Sequence, residues 1–440
     1  METLKGKRAT VMGLGRFGGG LGAARWLCRQ GAEVTISDQA DADTLADSIR
    51  QLEGCDVTLH LGGHDADDFI HTDLVVVNPA VPPEHPMLQA ASDAGVPTTT
   101  EINLFCRRCR GRVIGITGSV GKSTTTAMVG AILSTFQPTH VGGNIGGSLL
   151  GELEKIGPDD LVVLELSSFQ LEYLPLIAFS PSVALVTNLL PNHLDRHGTM
   201  EGYGAAKKNI FAFQHRGDVL ILNRDCEATR TWATEAPGRV ETFDPTGGDE
   251  PFDLRVPGAH NQANAQAAWA IARHLGLRRE QVAAELERFV GLAHRLQFVA
   301  EKQQVAWYND SKCTTPAGSI VALHAFPRRT AVMILGGYDK NVSFAEMGKA
   351  VAENARAAVL IGQTADQIAA AIEISRDGPE PIVQHADDME QAVRVAGQLA
   401  QPGDAVLLSP ACASYDMFTN YEQRGKAFVQ LVQQLDAAAI

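Results

Sequence analysis

The sequence predicts an α/β protein of three domains, each built on a mostly parallel sheet. Three observations carry this. The chain has 440 residues, about three times the length of an ordinary domain. Apolar residues make up 45% of it, enough for each domain to bury a core of its own. Short β-branched runs alternate with Ala- and Leu-rich segments from end to end, the pattern of strands joined through helices.

Taken in order, the first block has strands at 9–12, 33–36 and 74–77. The second has them at 113–116, 161–166, 183–186 and 219–222, and the third at 305–308, 331–335, 357–361 and 405–408. Each block begins afresh with a strand. The seams fall near Gly111 and Gly291, which gives domains 1–110, 111–293 and 294–440.

Composition removes several classes of function. Lys and Arg number 37 against 51 Asp and Glu, a formal net charge of −14, and a nucleic-acid footprint needs a basic face. Anionic small ligands remain possible, because lysines, glycine amides and Mg²⁺ can overrule the global field locally. No apolar run reaches the roughly 18 to 20 residues that span a bilayer. Residues 1–7 are polar and lead straight into a strand, so no secretory signal is expected. Seven scattered cysteines read as reduced thiols of a cytoplasmic protein. Cys106 and Cys109 have CxxC spacing but no second pair to complete a zinc site.

Two glycine loops carry chemistry. The stronger is Thr117-Gly118-Ser119-Val120-Gly121-Lys122-Ser123, between a strand and a helix that opens at Thr124. Phosphate needs inward-pointing N–H groups, glycines that let the backbone approach, and a helix N-terminus behind them. Lys122 has the reach to touch the β- and γ-phosphates, and Ser123 is placed to ligate Mg²⁺. Ile116 stands where the full motif has its first glycine, so this is an abbreviated P-loop. The weaker loop is Gly13-Leu14-Gly15-Arg16-Phe17-Gly18, with Asp38 20 positions further on. It fits a nucleotide with Asp38 on a ribose, and equally a turn that packs a helix on a strand.

Other residues gather around the P-loop. Glu165 ends a buried strand, where a carboxylate can hold Mg²⁺ at the ligand crevice or merely close a salt bridge. His193 follows the end of a second strand beside the P-loop, a position for a metal ligand. Asn261 and Asn264 open a long Ala-rich helix. Their amides suit an adenine edge, and Asn261 would serve equally as a cap.

These residues together resemble the Mur ligase family over essentially the whole chain. The marks are Gly118 to Thr124, the run 165–171, Asn188 through Arg196, and Gly291-Leu292-Ala293-His294-Arg295. The third block adds Asn309-Asp310-Ser311-Lys312, the run 336–340 and the run 408–416. The Ser-Ser-Phe-Gln stretch at 167–170 and Ser-Pro-Ala-Cys-Ala-Ser at 409–414 point to the glutamate-adding branch.

The resemblance implies a Rossmann-like N-terminal domain, a central P-loop ATPase and a Rossmann-like C-terminal domain. It implies a monomer that joins glutamate to UDP-N-acetylmuramoyl-L-alanine with ATP, by way of an acyl phosphate. Gly15, Arg16 and Phe17 would then cradle the uridine diphosphate, with Asp38 on uridine and Asn144 near the sugar or the transferred phosphate. Gly118, Ser119, Val120, Gly121, Lys122, Ser123 and Thr124 would hold ATP, together with Asn261 and Asn264. Arg295 would lie near the phosphates and Asp310 on ribose. Ser123 and Glu165 would hold one Mg²⁺. His193 and Lys207, the latter as a carbamate, would hold a second. Lys312, Thr314, Lys340, Ser414 and the backbone at Tyr421 would receive glutamate, whose handedness the residues leave open and the resemblance gives as D, with L-glutamate or another amino acid as the alternative.

Four departures from the family pattern stand out: Ser119-Val120 for Thr-Asn, Asn192 for aspartate, Gln297 for glutamate and Tyr421 for phenylalanine. None deletes a lysine, metal ligand or glycine that the mechanism needs. A nicotinamide oxidoreductase would leave the P-loop, Glu165 and Lys207 idle. A nucleotide sensor would bind ATP without acceptor-dependent turnover.

Overall fold

A computed structural model describes residues 3–15, 18–246, 248, 250–378 and 381–435. The chain divides into two compact units, Met1–Glu250 with Ala263–Val282, and Pro251–Gln262 with Ala283–Ile440.

The first unit holds two sheets. One is built from β1 (Arg8–Met12), β2 (Glu33–Asp38), β3 (Val57–Leu61), β4 (Leu74–Val77) and β5 (Thr98–Thr99), in the order β3-β2-β1-β4-β5. Every pairing in it is parallel. The other is built from β6 (Arg112–Thr117), β7 (Thr139–Gly143), β8 (Leu161–Glu165), β9 (Val183–Val186), β10 (Val219–Asn223) and β11 (Arg239–Phe243). Its order is β11-β10-β9-β6-β8-β7, again all parallel. Their apolar faces share one core, in which Val11, Ile36 and Val76 belong to the same cluster as Val162, Leu164 and Val186. The helix Glu101–Cys106, buried at all six positions, lies between them in sequence.

The second unit holds β12 (Gln297–Lys302), β13 (Val305–Asn309), β14 (Ala331–Gly336), β15 (Ala357–Ile361), β16 (Ile382–His385) and β17 (Ala405–Leu408). The order is β12-β13-β17-β14-β15-β16. This sheet is mostly parallel, as expected, with one exception: β12 runs antiparallel to β13 while the other strands are parallel. The two are joined by the tight turn at Gln303 and Gln304, both at positive φ, and a two-residue connection permits only an antiparallel pair.

In an open α/β sheet the crevice lies at the C-terminal ends of the parallel strands.

Candidate functional site

The P-loop is a backbone cradle braced from the next strand. β6 delivers Thr117, and the helix Lys122–Ser134 starts behind Gly121, whose φ is 85°. A Cβ on Gly118 (φ 145°) would stand 1.9 Å from Thr187 Oγ1, and one on Gly121 2.3 Å from Asn264 Oδ1. Neither position accepts a side chain. Asn188, just past β9, accepts from the Ser119 N–H at 3.2 Å and the Val120 N–H at 3.0 Å through Oδ1. Thr187 Oγ1 donates to the Val120 carbonyl at 2.7 Å. Ser119 Oγ donates to the Leu190 carbonyl at 2.9 Å. Lys122 Nζ lies back along the loop, 3.0 Å from the carbonyls of both Gly118 and Ser119. Asn264 Oδ1 stands 3.3 Å from Thr125 Oγ1, so this amide backs the loop. Ser123 and Thr124 are half-buried and Val120 is exposed.

Glu165 ends β8 almost fully buried. Its Oε1 accepts from Asn144 Nδ2 at 2.9 Å, and the Asn144 N–H donates to its carbonyl at 2.8 Å. Gly143 makes that approach possible, since a Cβ there would stand 2.3 Å from the Glu165 carbonyl oxygen. Among the described residues Glu165 Oε2 is buried without a hydrogen-bond partner. A buried carboxylate oxygen left unsatisfied is costly unless a ligand completes it, and a hard cation is the partner it suits.

Lys207 is 1% exposed, with Nζ donating to the Gly118 carbonyl at 2.8 Å and 3.3 Å from Thr117 Oγ1. Burial, seconded by the Lys122 charge, lowers its ammonium to about 7 against the opposing pull of Glu165. His193 is exposed, at φ 53°. Its ring centroid lies 4.9 Å from that of Phe169 and 6.3 Å from that of Tyr203, and Lys207 Nζ sits 4.6 Å from the same Tyr203 ring. The structure therefore gathers Lys122, Glu165, His193 and Lys207 around one strand-end crevice.

In the first sheet Gly13 (φ 86°) and Gly15 (φ 65°) pass close to Asn78, just past β4. Asp38 turns back on this loop, accepting from the Gly15 N–H at 3.3 Å and from the Ala40 N–H at 2.9 Å. Gly20 lets the following helix press on the loop, where a Cβ would come 2.1 Å from the Gly13 carbonyl. Arg16 and Phe17 lie outside the described residues.

In the second unit Asp310, Lys312, Thr314, Lys340, Ser414 and Tyr421 follow the ends of β13, β14 and β17, which are adjacent, while Arg295 precedes β12 and Asn261 lies in the helix Ala259–His274. Asp310 accepts from Ser409 Oγ at 2.7 Å and from the Leu296 N–H at 3.1 Å, and burial pushes its carboxyl up to about 6. Each oxygen keeps a lone pair for a further donor. Lys312 Nζ sits 5.6 Å from the Tyr421 ring centroid. Lys312, Lys340 and Arg295 are exposed, Thr314 and Tyr421 half-buried, and Ser414 buried. Asn261 donates through Nδ2 to the Pro257 carbonyl at 2.8 Å.

Known proteins match this chain along nearly its whole length. Three family profiles match: Mur ligase MurD-like, N-terminal domain, over residues 7–100; Mur ligase middle domain over 116–249; and Mur ligase, glutamate ligase domain, over 294–412. A UDP-N-acetylmuramoylalanine–D-glutamate ligase from Symbiobacterium thermophilum is 40% identical over 455 residues, covering 98% of each chain. The chain belongs to the Mur ligase family. Enzymes of the same name from Pelotomaculum thermopropionicum (40%, 98% of each chain) and Roseiflexus sp. (39%, 98% of this chain and 99% of that one) are similarly related. Among solved structures, the Thermotoga maritima UDP-N-acetylmuramate-alanine ligase MurC has a TM-score of 0.58 at 20% identity, covering 97% of this chain and 99% of its own. MurF from Acinetobacter baumannii has 0.54 at 18%, with 98% and 92% covered. These two carry the Mur ligase fold.

Sequence reasoning missed the braces of this Mur ligase. Thr187 and Asn188 fix the P-loop, Asn78 backs the N-terminal loop, and Arg424 ties the second unit together. Arg424 is 1% exposed and bonds the carbonyls of Ser311, Cys412 and Ala413. Polar residues at strand ends give a signal, but their partners lie many residues away in the chain.

Proposed function

We propose that this protein is an ATP-dependent ligase that adds D-glutamate to UDP-N-acetylmuramoyl-L-alanine, releasing ADP and phosphate, a step of peptidoglycan precursor synthesis. The observation that carries the reading is the buried Glu165 oxygen without a partner beside a braced P-loop, in a chain related along its length to enzymes of that activity.

The roles follow the three blocks, 1–110 for the UDP substrate, 111–293 for ATP and 294–440 for glutamate. Gly15 and Asp38 hold the nucleotide end of the substrate, and Asn144 its reacting end. The P-loop amides, Lys122 and Arg295 are assigned to the ATP phosphates, Asp310 to the ribose, and Asn261 and Asn264 to the rest of ATP. Ser123 and Glu165 would hold one Mg²⁺, and His193 and Lys207 a second. The ions, when bound, offset charge gathered on the transferring phosphoryl group. Lys207 reaches that state by adding CO₂, its neutral amine becoming a carbamate with loss of one proton. The lowered ammonium makes the neutral amine available near neutral pH.

In the reaction a carboxylate oxygen of L-alanine attacks the γ-phosphorus and ADP leaves. The glutamate nitrogen then attacks the acyl carbon, phosphate departs with the C–O electron pair, and the nitrogen loses a proton as the amide forms. Lys312, Thr314, Lys340, Ser414 and the Tyr421 backbone orient the amino acid. From the family resemblance we assign a cytoplasmic monomer; among the described residues no helix is long and apolar enough to cross a membrane.

Phosphate release from ATP and Mg²⁺ with UDP-N-acetylmuramoyl-L-alanine tests the reading, with D-glutamate, L-glutamate or neither added. Release is expected with D-glutamate. L-glutamate dependence would reassign the specificity, and no release from folded protein would overturn the ligase.

A further inference from the structure

The short helix Leu194–His197 that follows His193 carries an arginine with no part in the roles above. The Arg196 side chain is 11% exposed and pairs with Glu172 Oε2 at 2.7 Å. Its Nη1 donates to the Ala80 carbonyl at 3.1 Å. Its Nη2 points at the carbonyls of Val81 at 3.2 Å and Pro79 at 3.5 Å. One guanidinium thus gathers three successive carbonyls of the segment that leaves β4. That segment begins at Asn78, the residue against which Gly13 and Gly15 are packed. A second tie comes from Tyr173, whose hydroxyl donates to the Val81 carbonyl at 3.0 Å.

On its other side Arg196 is coupled to His193. The Arg196 N–H donates to the His193 carbonyl at 3.2 Å. Its guanidinium carbon lies 5.2 Å from the centroid of Phe169, the ring that also meets His193. Glu172 is itself held, with Oε1 3.1 Å from His197 Nδ1. Partnered this way, a half-buried arginine is a fixed strut: a planar fork reaches several acceptors at once, where a lysine is a single point charge.

We propose that Arg196 is a positioning residue that locks the 79–81 segment to the His193 turn, and so sets the distance between the bound UDP substrate and the transferred phosphate. The proposal rests on the ligase reading, because it assigns the two ends of the strut to two substrates. Locating one reactant against the other to within an ångström governs rate as well as affinity.

The test is Arg196→Lys in the full chain, with KM measured separately for UDP-N-acetylmuramoyl-L-alanine, ATP and D-glutamate, and with binding of the UDP substrate measured by calorimetry. The expected result is a KM and Kd for the UDP substrate raised about tenfold and kcat lowered about tenfold, with the D-glutamate KM within about twofold. Tyr173→Phe, which removes only the second tie, is expected to give the same split at smaller size, and it stands in if Arg196→Lys does not fold. A kcat loss with every KM unchanged would mean fewer folded molecules and would overturn the proposal. Parameters equal to wild type would do the same. Wild-type protein with no D-glutamate-dependent turnover would overturn the ligase reading and the proposal together, a distinct outcome.

Discussion

The two glycine loops of the first unit are the same backbone device in different surroundings. Each leaves a strand buried in a parallel sheet and enters a helix behind a glycine in the left-handed region, Gly18 at φ 89° and Gly121 at φ 85°. Each presents N–H groups at a helix start. The side chains around them differ. Lys122 and Lys207 both have their Nζ within hydrogen-bond reach of the Gly118 carbonyl. At the N-terminal loop, among the described residues, the Asp38 carboxylate turns inward. Cations suit a triphosphate, whereas a carboxylate suits hydroxyl donors such as those of ribose. A glycine loop therefore signals a phosphate-approaching backbone, and its neighbours decide which ligand is accepted.

Exchanging the chemistry at each loop should break one function and spare the other. The largest effect is expected for Lys122→Met, which removes the mobile charge of the P-loop. Steady-state assays should show kcat/KM for ATP down about a thousandfold, with calorimetric affinity for the UDP substrate within about twofold. A matching loss of UDP-substrate affinity would mean the two loops are one site.

The next effect lies where the elements behind the two loops meet. Glu101 is buried against Ser148, whose hydroxyl donates to it, and a Cβ at Gly22 of the first helix would stand 2.4 Å from Ser148 Cβ. Burial, opposed by the Ser148 hydrogen bond, pushes the Glu101 carboxyl from its ordinary 4.5 to about 7. The folded chain thus holds this proton where the unfolded chain has lost it. Stability conferred through this group is fully present below about pH 4.5 and is lost as pH rises toward 7. Glu101→Gln should stabilise the protein at pH 8 by at most about 3 kcal/mol, with the gain vanishing below pH 4.5. Denaturant unfolding at both pH values measures it. An equal effect at the two would sink the titration argument.

The smallest effect is expected for Asp38→Asn, which weakens the carboxylate's hold on the Gly15 amide. Its KM for the UDP substrate should rise about tenfold, with KM for ATP unmoved. A change in the ATP value instead would reverse the assignment of the loops.

How legible the fold was depended on where a strand sits. Every strand read from the sequence is an interior strand of its sheet. The strands not read, β3, β5, β7, β11, β12 and β16, are the six edges. Interior strands of a sheet covered on both faces are continuous apolar runs, as in the fully buried AVLL of β17 and AAVLI of β15. An edge strand faces solvent on one side and mixes polar with apolar residues, as in the mostly exposed VTLHL of β3 and IVQH of β16. Such segments are short and lack the continuous apolar run that marks the interior strands.

The site divides along the same line. The P-loop and Glu165 at a strand end could be named from sequence, because each is a local pattern in which residue type and backbone path together state the chemistry. Lys207, by contrast, is singled out over its neighbour Lys208 only by the family resemblance. Sequence alone also determined the class of protein and the number of sheets, since hydrophobic period and glycine placement are properties of short segments. Only the tertiary structure decided that Asn188 and Thr187 brace a loop about seventy residues earlier in the chain. The same holds for Asn144 taking one oxygen of Glu165 and for Arg196 gathering the carbonyls of 79–81. Those are pairings of buried polar groups, which must find partners wherever packing brings them, and no local pattern records a partner that the chain meets only on folding.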